Sequence, residues 1–268
     1  MQPDSFILCA DDYGLRPGIS AAILDLAASS RISALSAMVT GGDWQNAVRP
    51  LQALHDKIDI GLHLDLTKKR SLGVLTVLSL AHCLPLQIIK KAIETQLDTF
   101  VNATGFAPDF IDGHRHVHAL PMIRDCLFEA LAKHGLKPVL RNPHDRSSRI
   151  LRRGKGIAKA LFIAQLTHGF AGAARQSGFR VNDGFSGIYD FSPLADYEKL
   201  FPHFLRARGA AHLVVCHPGR FDEQDAGDPI RLARQSEHRF LAGMRFPEIL
   251  AAHELKLARF GDVENSIV

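Results

Sequence analysis

Seven short apolar runs, each followed by a stretch with helical spacing, set the narrowest limit on how this chain can fold. The runs are Phe6–Ala10, Ile32–Val39, Ile58–Leu64, Phe110–Gly113, Pro138–Arg141, Phe185–Ile188 and Leu213–Cys216. Helical patterns occupy 17–29, 45–56, 85–101, 119–134, 155–175 and 193–208, with a further one at 231–243. Strands separated by helix-length segments pair in parallel, because a crossover of that length is what returns the chain to the same end of a sheet. The expected class is α/β, with about seven mainly parallel strands in a barrel or a partly open relative of one. No internal repeat and no Gly/Ser linker divides the 268 residues, and 46% hydrophobic content suffices for one large core, so residues 1–268 read as a single domain. The segment 65–85 resists typing, and the stretch after Ile230 reads as helices that close the domain.

Charge and cysteine usage narrow the function classes. Lys and Arg exceed Asp and Glu by 32 − 28 = 4, and no basic run alternates with aromatics, so the sequence argues against a nucleic-acid partner. Cys9, Cys83, Cys126 and Cys216 have no paired metal-ligand spacing and read as reduced thiols. The sequence shows no secretory signal pattern and no 18-residue apolar span, which points to a cytoplasmic protein, with the inner membrane face as its alternative location.

Carboxylates and imidazoles sit where the apolar runs end, and a parallel barrel gathers such positions at one rim. Asp11 and Asp12 follow Phe6–Ala10, and since adjacent strand residues point to opposite faces, a turn at Gly14 is expected before both serve one cavity. One of them can ligate a cation while the other takes a proton from water. His63 shares a polar strand face with Gly61, Asp65 and Thr67, which makes it a metal ligand with Asp65 placed to orient its second nitrogen. In Asp112-Gly113-His114-Arg115-His116-Val117-His118, an extended chain would line Asp112, His114, His116 and His118 along one side. A helix pattern starts near Ala119, so His114 is the expected ligand and His118 reaches the metal or the substrate. His217 ends Leu213–Cys216 before a Pro-Gly turn and suits a general acid, its ordinary pKa being about 6.5. Arg141 is placed to orient a catalytic carboxylate or to bind a substrate oxygen.

Taken together, Asp11-Asp12-Tyr13-Gly14, Gly61-Leu62-His63-Leu64, the segment from Asp112 to His118 and His217-Pro218-Gly219 resemble the YdjC-like carbohydrate deacetylases, which include the chitooligosaccharide deacetylases. The motifs span 11–219 in order. The resemblance implies a distorted TIM-like barrel that removes N-acetyl groups from sugars, with one divalent metal ion, zinc or magnesium, held by Asp12, His63 and His114. It also implies Asp11 as catalytic base. The chain is most similar in general character to the hopanoid-biosynthesis-associated subgroup, which implies an N-acetylglucosaminyl hopanoid as substrate. Leu64 and Leu66 depart from the aromatic that polysaccharide-directed relatives often carry beside the histidine, which weighs against soluble chitin fragments.

The expected activity is therefore hydrolysis of a linear amide on an N-acetylated sugar or glycolipid. Basic Arg146, Arg149, Arg152 and Arg153 precede an apolar stretch at 155–175, a pattern that suits peripheral membrane contact, and an apolar helix there also suits a homodimer. A noncatalytic sugar-binding protein with a structural metal is the rival from another class. Phosphoester chemistry is weaker, because no Walker-type phosphate cradle is present.

Overall fold

The protein is described by a computed structural model covering residues 4–68, 70–220 and 227–262. Its strands are β1 (Ser5–Tyr13), β2 (Ala34–Ala37), β3 (Asp59–Leu64), β4 (Phe110–Gly113), β5 (Val139–Leu140), β6 (Phe185–Ser186), β7 (Leu213–Cys216) and β8 (Lys256–Leu257). All pairings are parallel, and the sheet runs β5-β4-β3-β2-β1-β7-β6, with β8 added beside the start of β1. The sheet curls almost to closure through residues 180–186. Leu140 N donates to Arg180 O at one end of that segment and Asp183 N donates to Ala211 O near the other. The architecture is the expected distorted α/β barrel.

Strand alternation explains how the barrel is filled. Ile7 and Cys9 of β1, Phe110 of β4, Val139 of β5, Phe185 of β6 and Leu213 and Val215 of β7 form a buried apolar plug inside it. The intervening residues Phe6, Leu8, Ala10, Ile60, Leu62 and Val214 belong to the larger core shared with the helices. Continuing each inward-facing row by two residues gives Asp11, Asp112, Arg141 and His217, and β2 and β3 add Ser36 and His63, so a polar layer sits on an apolar one. Gly61 is required two residues below His63, because a Cβ there would lie 2.5 Å from the Phe110 ring.

The helices depart from expectation in detail. The 45–56 pattern splits into Trp44–Ala47 and Leu51–Leu54, and the 155–175 pattern into Ile157–Leu166 and Phe170–Gln176 around Gly169, whose φ is 79°. The untyped stretch 65–85 contains a helix, Leu72–Leu80, and the chain after Ile230 forms helices Arg231–Ala242 and Arg245–Ala252 before β8. Two of the four arginines expected to face a membrane turn inward. Arg153 is buried against Asp145 (2.5 Å), and Arg149 pairs with Asp183 (3.0 Å) and Asp145 (3.3 Å). All four cysteines are free thiols, three of them buried and Cys83 exposed. No helix among the described residues is long and apolar enough to cross a membrane.

Candidate metal centre

The reorientation expected at Gly14 happens two residues earlier. β1 stays paired through Tyr13, but its register with β2 shifts between Ala10 and Tyr13, and Asp12 adopts a left-handed backbone (φ 71°). A bulge of this kind swings one side chain out of the alternating pattern, at a conformational cost that a non-glycine residue accepts only where its surroundings over-determine it. Asp11 therefore stays on the inward face while Asp12 is redirected toward β3 and β4. There Asp12 Oδ1 lies 3.4 Å from His63 Nε2 and 3.1 Å from His114 Nδ1. The three ligand-type atoms all lie within 4.8 Å of one another.

This trio fits a divalent ion on its own chemistry. One carboxylate oxygen and two imidazole nitrogens are a donor set that zinc and its neighbours accept. The far side of each ligand is also tied down. His63 Nδ1 donates to Asp112 Oδ1 (2.7 Å), which leaves Nε2 facing Asp12, and Ser36 Oγ donates to the same Asp112 oxygen (2.5 Å). Arg234 Nη2 donates to Asp12 Oδ2 (2.7 Å), so only Oδ1 faces the imidazoles. Burial alone would raise the Asp12 pKa, but Arg234 and the two histidines outweigh it and hold the carboxyl well below the usual range. Burial alone would depress His63, yet Asp112 and Asp11 raise it to about 10, so with no cation bound the ring carries a proton at neutrality.

Asp11 occupies a second compartment. Arg141, completely buried, clamps it with Nη1 on Oδ2 (2.7 Å) and Nη2 on Oδ1 (2.6 Å), and also contacts Asp112 Oδ2. Arg141 thus touches a carboxylate, the first of the two roles open to it in sequence. His217 Nε2 lies 3.9 Å from Asp11 Oδ2. Burial depresses the His217 pKa, and Asp11 and Asp12 offset this only in part, leaving it at about 4, so the ring is neutral near pH 7 rather than about one-quarter protonated as its ordinary value implies.

Three expected positions move. Asp65 does not orient His63; it accepts from Thr67 N and Oγ1 (both 2.7 Å) and from Thr40 Oγ1 (3.3 Å), and Asp112 takes the orienting place instead. His118 does not join the trio, because its Nε2 is hydrogen-bonded to the Arg141 carbonyl (2.7 Å). His116 packs edge-on against Phe185. Both follow from one cause: beyond Gly113 the chain coils into a 3-10 segment, His114–Ala119, with Arg115 and His116 left-handed, so the extended alternation ends at the strand.

Sequence reasoning did not find Arg234 or Glu237 on the helix Arg231–Ala242. Glu237 is fully buried, accepts from Tyr189 Oη (2.6 Å) and from the backbone N–H of His217 (2.5 Å), and is raised by burial to about 7. The amphipathic pattern of that helix was the available signal, since Arg234 and Glu237 share its buried face with Ala233, Phe240 and Leu241.

The family model described as YdjC-like protein matches residues 5–252. A chitooligosaccharide deacetylase of Yersinia pestis (strain Pestoides F) is 25% identical over 270 residues, covering 96% of this chain and 98% of that protein. A chitooligosaccharide deacetylase of Serratia marcescens is 33% identical over 141 residues, 47% of this chain and 55% of that protein. Among solved structures, an Enterococcus faecalis V583 protein assigned by name to cellobiose-phosphate cleavage superposes with a TM-score of 0.69 at 17% identity, over 98% of this chain and 99% of that one. A family 4 acetyl xylan esterase from Clostridium thermocellum, in complex with cobalt, gives 0.51 at 10% identity, over 97% of this chain and 90% of that one. At these identities the two structures speak for the fold.

Proposed function

The chain belongs to the YdjC-like family, and from that premise we propose that it is a metal-dependent carbohydrate deacetylase that hydrolyses the N-acetyl amide of an N-acetylglucosamine-type sugar. The observation that carries the reading is the pairing of a metal-type trio, Asp12, His63 and His114, with a separately clamped carboxylate, Asp11, beside a neutral histidine, His217. Amide hydrolysis needs those parts: a Lewis acid, a base for water, and a donor for the leaving nitrogen. Full-length likeness to a protein named chitooligosaccharide deacetylase supports the same reading.

Asp12, His63 and His114 would hold the ion, which when bound supplies Lewis-acid polarisation of the acetamide carbonyl and of the attacking water. Asp11 accepts the proton of that water. Arg141 fixes the plane of the Asp11 carboxylate through two hydrogen bonds. His217, neutral beforehand, takes up the proton that Asp11 gained from water and delivers it to the sugar nitrogen as the C–N bond breaks, its Nε2 lying 3.9 Å from Asp11 Oδ2. The products are acetate and an amino sugar.

Within that class we infer an N-acetylglucosaminyl hopanoid as substrate, on the chain's likeness to the hopanoid-associated subgroup. The names of the relatives favour a second reading, a soluble chitooligosaccharide. Acetate release tests both: chelated protein is assayed with and without added zinc, magnesium or manganese on chitobiose, N-acetylglucosamine and an N-acetylglucosaminyl lipid. Metal-restored release from any of them supports the deacetylase, and the preferred substrate selects the finer reading. No release from any, with metal bound, sinks the proposal in favour of a sugar-binding role.

A further inference from the structure

The segment from Leu66 to Ile93 contains five basic residues, Lys68, Lys69, Arg70, Lys90 and Lys91, and no acidic one. Between the two basic ends lies the helix Leu72–Leu80, of which only Leu75 and Ser79 are buried. Val77 is 65% exposed and Ile88 is 60% exposed, and Val74, Leu80 and Leu86 are exposed beside them. Large aliphatic side chains exposed in such number over one short stretch of chain call for a cover.

Topology places the patch at the rim of the metal centre. The helix follows the C-terminal end of β3, which carries His63, and packs against the turn that carries His114. Ser79 Oγ fastens it there by donating to the Pro121 carbonyl (2.5 Å). Leu86 and Ile88 open the helix Leu86–Thr104, which runs from that end of the sheet back toward the start of β4, so they lie at the same end.

We propose that this rim docks on an anionic lipid surface, with the aliphatic side chains entering the headgroup boundary and the exposed Arg70 and Lys91 meeting lipid phosphates, whereas Lys90 is held by Glu129 and Lys68 by the Thr40 carbonyl. Charge decides between this occupant and a second copy of the chain. A two-fold contact would bring the exposed Arg70 and Lys91 of both copies into one interface, while the acidic groups beside the segment, Glu94 and Glu129, are already held by Lys133 and Lys90. An anionic bilayer offers apolar depth and negative charge together. The surface differs from the 155–175 stretch, where Arg149 and Arg153 are engaged by Asp145 and Asp183 and cannot serve lipid. Docking is independent of the proposed chemistry; only its corollary, that the barrel mouth meets a sugar presented on a lipid, rests on the deacetylase reading.

Cosedimentation of the full chain with vesicles is the test, comparing phosphatidylcholine alone with phosphatidylcholine containing phosphatidylglycerol. Wild-type protein is expected to bind the anionic vesicles and largely ignore the neutral ones. Val77→Glu with Ile88→Glu is expected to abolish binding, and Arg70→Gln with Lys91→Gln to weaken it about five-fold per charge. All these positions are exposed, so unchanged circular dichroism and unchanged acetate release from soluble chitobiose establish that the variants are folded and keep the activity of the wild type. Wild-type indifference to anionic vesicles overturns the proposal, as does full binding by the Val77→Glu, Ile88→Glu protein. A dimer in light scattering that the same substitutions break, without vesicle binding, assigns the patch to a second copy instead. Failure of docking leaves acetate release untouched, whereas failure of the deacetylase reading leaves vesicle binding untouched.

Discussion

Asp11 and Asp12 are adjacent in sequence yet end in opposite electrostatic settings. Asp11 Oδ1 and Oδ2 both receive hydrogen bonds from one buried guanidinium, Arg141. Asp12 gives one oxygen to Arg234 and turns the other to two imidazoles. Cys9, Asp11 and Asp112 also bring three ligand-type atoms within 4.8 Å of one another, just as Asp12, His63 and His114 do. At the first group, however, Arg141 already supplies the positive charge, and a metal ion entering there would meet like charge in a buried space. At the second, the guanidinium of Arg234 is confined to Asp12 Oδ2, and Oδ1 faces two imidazoles, of which His63 carries a proton it can give up. Closeness of ligand atoms therefore does not by itself define a metal centre; it matters whether a guanidinium or an exchangeable proton fills the space between them.

The strongest way to break this comparison is to exchange the fates of the two carboxylates. Asp12→Ala is expected to bring bound metal close to zero by elemental analysis and to lower acetate release on the order of 10³-fold or more. Asp11→Asn keeps the shape of the clamp but removes the base, so metal content stays at the wild-type level while kcat falls by about 10²–10⁴-fold. Normal turnover in the Asp11→Asn protein would show that another group accepts the water proton. Arg141→Met acts on stability first, because it leaves Asp11 and Asp112 buried with no guanidinium; a loss of about 3–5 kcal/mol in denaturant unfolding is expected. A near-neutral result would mean that the two carboxylates share a proton or a captured cation once the arginine is gone.

Legibility in the sequence followed physical range. Phe110–Gly113 and Leu213–Cys216 have the bounds their apolar runs predict, because a strand buried on both faces has no alternative reading. His63 and His114 meet because each stands at the end of such a strand or one residue past it. Asp65 was misplaced by carrying strand alternation past the point where β3 ends, whereas His118, expected at a turn, is taken by the coil His114–Ala119 to the Arg141 carbonyl. The bulge at Asp12 was invisible for a different reason, since an aspartate with positive φ leaves no local mark when the sheet around it imposes the conformation. Arg234 lies 222 positions from Asp12, and only the tertiary fold brings that helix over the rim.

Asp112 touches both compartments and offers the finest test. It accepts from His63 Nδ1 and also contacts Arg141, so Asp112→Asn loosens the orienting bond of a metal ligand while leaving the ligand in place. Loss of such an outer partner costs about 10–100-fold in metal affinity. The pH dependence sharpens the point. His63 is raised to about 10 by Asp112 and Asp11 against the opposing effect of burial, so metal must displace its proton at any lower pH. Apparent affinity is expected to rise about tenfold per pH unit through neutrality, with about one proton released per ion bound. The sign for folding is the reverse. In the metal-free protein the raised His63 pKa stabilises the fold fully below about pH 6.5, and that contribution is lost as pH rises toward 10. In Asp112→Asn the neutral amide no longer holds the His63 proton, so the slope of metal affinity should flatten at the alkaline end while affinity at acidic pH suffers least. Isothermal titration in buffers of different ionisation enthalpy reads the proton count directly. An unchanged slope in Asp112→Asn would place the exchangeable charge outside the His63–Asp112 pair.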